Sequence, residues 1–73
     1  MSVTVAYADI VRMLAECAPG NDIRRTTHAR RVVWNNQVFP DLPKWDNIEM
    51  GHIRKMVRTL GINKDCARKH RCY

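Results

Sequence analysis

The sequence predicts an α+β domain with the order α-β-β-β-α: a three-stranded antiparallel sheet with two helices packed on one face. Three observations lead there. Residues 26–42, reading TTHARRVVWNNQVFPDL, carry the β-branched and aromatic flanks of a hairpin around Asn35-Asn36. Apolar residues recur at helical spacing on either side of it: Ile10, Leu14 and Cys17 before, Ile53, Met56, Val57 and Leu60 after. Pro19-Gly20 and Gly61 stop the two helical stretches.

The elements follow in order. Met1 to Thr4 is a lead-in, and the first helix is expected from about Ala6 to Ala18, with Val11 and Met13 flanking its stripe and Thr4 as a cap candidate. Arg12 and Glu16 are spaced to pair on its wet side, for roughly a few tenths of a kcal/mol. Ile23 to Thr26 is the expected first strand. Thr26-Thr27 then links it to the hairpin, or His28 begins the second strand. Asparagine tolerates the left-handed backbone of a two-residue hairpin turn. With Asn35-Asn36 there, Trp34 lies opposite Gln37, Val33 opposite Val38 and Val32 opposite Phe39.

Alternation puts His28, Arg30, Val32 and Trp34 on one face with Phe39 and Asp41. It puts Ala29, Arg31 and Val33 on the other with Val38 and Leu42. Both faces mix apolar and charged residues. The reading favours Ala29, Val33, Val38 and Leu42 inside, leaving His28, Arg30 and Trp34 exposed. Pro40 and Pro43 suit an edge strand or a strand end. Asp46, with Glu49 three residues on, is an N-cap candidate for the last helix, and Asn47 is the alternative. Gly61 fits the left-handed position after that helix, with Ile62 folding back. His52, Arg54, Lys55 and Arg58 cover its wet face. From Asn63 the basic tail forms one more helical turn or frays.

At 73 residues the chain is one domain, with a core over about residues 6–63 and a basic tail over 64–73. A hydrophobic share of 45% argues against disorder. Thirteen Lys and Arg against seven Asp and Glu give a net charge of +6. Such an excess suits nucleic acid, an anionic membrane or an acidic protein, and nucleic acid is preferred. Three cysteines with no CxxC pair point away from a disulfide framework and toward a reducing cytoplasm. No N-terminal stretch has signal-peptide character, and no apolar run is long enough to span a bilayer.

His28 is the leading candidate for chemistry. A histidine gives or takes a proton near neutral pH, and Arg24, Arg25, Arg30 and Arg31 bracket it. That combination suits metal-independent RNA cleavage: one group deprotonates the ribose 2′-hydroxyl and cations stabilise the crowded phosphorane. The plainer reading is a polar strand residue within a basic face. His52 and His70 are weaker candidates. Cys66, His70 and Cys72 match no common zinc spacing, so neither a metal nor a cofactor is expected. Cys17 is most simply core. Trp34 and Trp45 can stack on bases, or can cap the core and staple the helix start, respectively.

The order of elements, Thr26-Thr27-His28, the strand end from Pro40 to Pro43, and the helix IEMGHIRKMVRTLGI resemble the HicA toxins. Members of that family typically carry Gly-Ser-His at the start of the second strand. Their last helix opens with a glycine and continues as Leu/Ile-Arg-x-Ile/Met, matched here by Gly51, Ile53, Arg54 and Met56. The likeness covers about residues 8–63. Thr26 and Thr27 stand in place of the glycine and serine. Lys44 and Trp45 stand where many members have a histidine. The resemblance implies a small double-stranded-RNA-binding-like fold and a ribosome-independent mRNA endonuclease. A HicB antitoxin would neutralise it in the cytoplasm, and His28 would be the catalytic residue. The expected RNA contacts are Arg24, Arg25, Thr27, Arg30, Arg31, Lys44, Arg54 and Lys55. The rival expectation is a non-catalytic RNA-binding or protein-interaction module of the same fold.

Overall fold

The computed structural model describes residues 3–73, so Met1 and Ser2 of the lead-in lie outside the described residues. The order is β1 (Thr4–Ala6), α1 (Tyr7–Cys17), β2 (Asp22–Arg25), β3 (Arg30–Trp34), β4 (Gln37–Leu42), β5 (Asn47–Glu49), α2 (Met50–Leu60) and α3 (Lys64–Lys69). The class is α+β. Strands β2, β3 and β4 form the three-stranded antiparallel sheet, and β1 pairs with β5 in a second, smaller ladder.

The Asn35-Asn36 turn is as the sequence demands. Both residues adopt positive φ, 54° and 61°, and β3 pairs with β4 as Trp34–Gln37, Val33–Val38 and Val32–Phe39. The inward face is that of Arg30, Val32 and Phe39, not that of Val33 and Val38 favoured from sequence. Val32 and Phe39 are buried, while Val38 is exposed and Val33 only half-buried. Leu42 is inside as expected, through a bulge. Val32 pairs with Phe39 but Arg30 pairs with Leu42, so β4 spends one residue more than β3 over this stretch. Pro40, which has no N–H for the ladder, lies in the extra length. The slip brings Leu42 to the same side as Phe39. Both then join Ile10, Met13 and Leu14 of α1 and Ile53, Met56, Val57 and Leu60 of α2 in one core.

The two long helices start alike, and neither uses the expected side-chain cap. Residues Thr4 and Asn47 are in strands instead. The first N–H of α1, from Tyr7, donates to the Asp46 carbonyl at 2.7 Å, and that of α2, from Met50, donates to the Val3 carbonyl at 2.8 Å. Each helix thus grows out of the β1–β5 ladder, which satisfies an N–H that a cap would otherwise serve. The ladder also inserts Val5 and Ile48, which face each other, into the core. At the other end of α2, Gly61 takes φ 72°, and buried Ile62 returns its N–H to the Val57 carbonyl at 3.0 Å.

Residues 64–73 are packed onto the domain. The Asn63 side chain accepts from the Cys66 N–H at 2.9 Å and starts α3. Cys66 is bonded to Cys17 at the end of α1, across 49 positions. This corrects the expectation of unpaired cysteines, and it means Cys66 cannot serve in a metal set with His70 and Cys72. Glu16 meets His70 rather than Arg12, whose guanidinium turns back to Asp9 at 3.0 Å. Cys72 is buried. Burial, with the Asp9 carboxylate adding to it, pushes its thiol up from 9.0 to about 11. Among the described residues no helix is long and apolar enough to cross a membrane.

Candidate functional site

The β2–β3 connection is a tight turn. The Thr26 N–H donates to the Ala29 carbonyl at 2.8 Å, and the Thr26 hydroxyl oxygen accepts from the Ala29 N–H at 3.1 Å. Thr27 and His28 form the exposed tip, so His28 precedes β3 rather than opening it. Threonine at position 26 therefore has a structural use: its hydroxyl closes the turn that presents His28.

The loop after β4, residues 43–46, comes to this tip and is fastened to it twice. The Lys44 ammonium donates to the Thr27 carbonyl at 2.5 Å and the Thr26 carbonyl at 3.5 Å. From below, the Arg30 guanidinium donates to the carbonyls of Pro43 at 2.8 Å, Trp45 at 3.0 Å and Lys44 at 3.3 Å. Arg30 also lies over the Tyr7 ring, 3.5 Å from its centre, and is only 7% exposed. Its placement corrects the expectation of an exposed phosphate ligand. A buried guanidinium needs acceptors on its N–H groups, and this one finds them in a single loop.

Between tip and loop lies an open cleft of about 350 Å³, lined by His28, Ala29, Asp41, Pro43, Lys44 and Trp45. His28 and Lys44, both named from sequence, meet here. The bulge carries Asp41 to the same place, a carboxylate to which the sequence pattern gives no role. The signal was present in Pro40, whose missing N–H marks a point where a ladder can slip. A second hollow of about 690 Å³ is lined by Ala6, Tyr7, Ala8, Val11, Arg12, Asp46 and Asn47. Its lining offers no histidine, so the first cleft is the candidate site.

The remaining expected residues stand around the cleft rather than in it. Arg24 and Arg31 are cross-strand neighbours on the open face of the sheet, and Arg24 shares its charge with Asp22 at 2.9 Å. Arg25 is exposed at the end of β2, and Thr27 is exposed at the tip. Arg54 and Lys55 are exposed on α2, which approaches the cleft through His52: its ring meets Trp45 edge-on, with centres 6.4 Å apart. Trp34 is half-buried, and its indole N–H donates to the Pro19 carbonyl at 3.0 Å, so it seals the core end.

An exposed imidazole, a carboxylate and an ammonium around one hollow can move a proton and stabilise an anion. No protein-family model, curated protein or solved structure matches the chain.

Proposed function

We propose that the protein is an RNA-cleaving toxin of HicA type, using His28 as general base on the ribose 2′-hydroxyl. One observation carries the reading: His28 is exposed on a hydrogen-bonded turn, at a cleft it shares with Lys44, on a body of net charge +6. His28 takes the 2′-hydroxyl proton, the 2′-oxygen attacks phosphorus, and the P–O5′ bond breaks. The products are a 2′,3′-cyclic phosphate and a 5′-hydroxyl, the leaving oxygen taking up a proton. Lys44 supplies positive charge to the phosphorane, and Arg24, Arg25 and Arg31 add to the positive field of the surface outside the cleft lining. Thr27, Arg54 and Lys55 lie along the path of the flanking strand.

This activity belongs in the cytoplasm, held in check by a HicB-like antitoxin. A reducing cytoplasm would keep Cys17 and Cys66 as thiols, and that bridge joins α1 to α3, not the two loops of the cleft. The plainer reading, an RNA-binding module that does not cut, draws support from Arg30. Its guanidinium is committed to three carbonyls, which leaves Lys44, itself bonded to the Thr26 and Thr27 carbonyls, as the cation in the cleft lining.

The test is cleavage of a short RNA by purified wild type and by His28→Ala, with product ends identified by mass. The expected result is cyclic-phosphate ends that survive chelator, no cleavage of the same oligonucleotide made with 2′-deoxy sugars, and at least a hundredfold loss in the variant. Wild-type cleavage that His28→Ala leaves intact would falsify the assignment.

A further inference from the structure

The two tryptophans have different fates. Trp34 is tied into the fold by its indole N–H. Trp45 is 60% exposed at the cleft beside His28. A large aromatic side chain left in water forgoes the burial that usually justifies it. This one is also held still. Its own carbonyl and those of the two preceding residues are gripped by Arg30. Its ring abuts the His52 ring edge-on, at an interplanar angle of 75°. The backbone that carries the ring is therefore held before any ligand arrives, which lowers the ordering cost of binding.

We infer that Trp45 is a stacking platform for one unpaired RNA base, so that the substrate is single-stranded where it enters the cleft. The inference rests on the RNA reading above and adds the strandedness of the substrate. Three observations carry it. The ring is open to solvent, and stacking needs a free face. The hollow, about 350 Å³, lies at the small end of the roughly 300–1,000 Å³ typical of ligand pockets and suits one nucleotide rather than a groove for a duplex. Lys44, adjacent in sequence, puts an ammonium where the phosphate joined to a stacked base would pass. Bases inside a duplex already stack on one another and offer no such face.

The experiment measures binding at low salt in a His28→Ala background, which removes cleavage. The probe is one mixed-sequence RNA, presented as a single strand and annealed into a blunt duplex. Trp45→Ala is expected to weaken single-strand binding by about 5- to 150-fold, the range of one lost base–aromatic stack. Trp45→Phe keeps most of the affinity, and the duplex binds more weakly and is indifferent to either change. In the parent, tryptophan emission is quenched as the single strand binds. Should Trp45→Ala not fold, Trp45→Phe and the quenching decide. Equal single-strand affinity in folded Trp45→Ala, duplex affinity matching that of the single strand, or unquenched emission overturns the inference while leaving the RNA reading in place. A parent that binds neither form overturns both. Binding that depends on Trp45, with wild type that does not cut, removes the nuclease and keeps the stacking site.

Discussion

The guanidinium of Arg30 lies over Tyr7 and reaches three successive carbonyls of the 43–46 loop. Both the charge and the planar shape of this side chain are used. Arg30→Ala leaves those carbonyls without their donor and opens a void against Tyr7, so a loss of about 3 kcal/mol is expected in urea unfolding. Arg30→Lys recovers only part of it, because an ammonium lacks the planar fork that spans several acceptors. Were Arg30 instead a phosphate ligand, the lysine variant would keep its stability and lose RNA affinity, the reverse pattern. Single residues were the least legible part of the sequence. His28 could be picked out by type and neighbours. Alternation puts Arg30 on the face of Val32, but both faces mix apolar and charged residues, so which one meets the core is not legible; in β4 alternation itself inverts at the one-residue slip that turns Leu42 inward. Lys44 and Trp45 could be named, but their meeting with His28 depends on long-range folding that no local pattern encodes.

Elements were more legible where they are long. The stripe Ile53, Met56, Val57 and Leu60 is buried as a set, and Gly61 ends α2 in the left-handed conformation. The three-residue strands β1 and β5 could not be read, since a period of two has no statistical weight over three positions. The six-residue helix α3 is far too short to persist alone. It is held by the Asn63 cap, buried Ala67 and Cys72, His70 against Glu16, and the Cys17–Cys66 bridge. The pairing was hidden because an odd cysteine count and a separation of 49 carry no information about distance. Reduction should lower stability by roughly 2–4 kcal/mol, through the entropy of the opened loop. Alkylation checks the pairing independently. Unfolding without reductant should expose one thiol, Cys72, and reduction three. In the native protein Cys72 labels slowly at neutral pH, because its thiol, pushed up to about 11, stays protonated there and is buried. Cleavage should survive reduction, since the bridge does not touch the 26–29 turn or the 43–46 loop. Three labelled thiols without reductant would rule the bridge out.

The whole molecule measures 31 × 28 × 18 Å and carries +6. At physiological ionic strength charges are screened over about 8 Å, so only cations within about that distance of a bound strand contribute much to holding it. Lys64, Arg68 and Lys69 are carried on α3, which packs against α1 rather than on the sheet; Arg68 pairs with Asp65 at 2.8 Å, as Arg24 does with Asp22 at 2.9 Å, and Lys64 and Arg68 lie against the Tyr73 ring. The charges that count are those around the cleft: Lys44 in its lining, Arg25 beside the tip, and Arg24 with Arg31 on the open sheet face. With about four phosphates neutralised on a single strand, the logarithm of the binding constant should fall with the logarithm of salt at a slope near −3. Arg31→Gln should shallow that slope by about 0.7, uniformly across RNA sequences, because a phosphate contact carries no base information. Reversing a tail charge, Lys69→Glu, should leave it nearly unchanged. A binding constant that ignores salt would mean that the basic surface answers to something other than a nucleic-acid backbone, and an acidic protein partner would then be the better account of the charge.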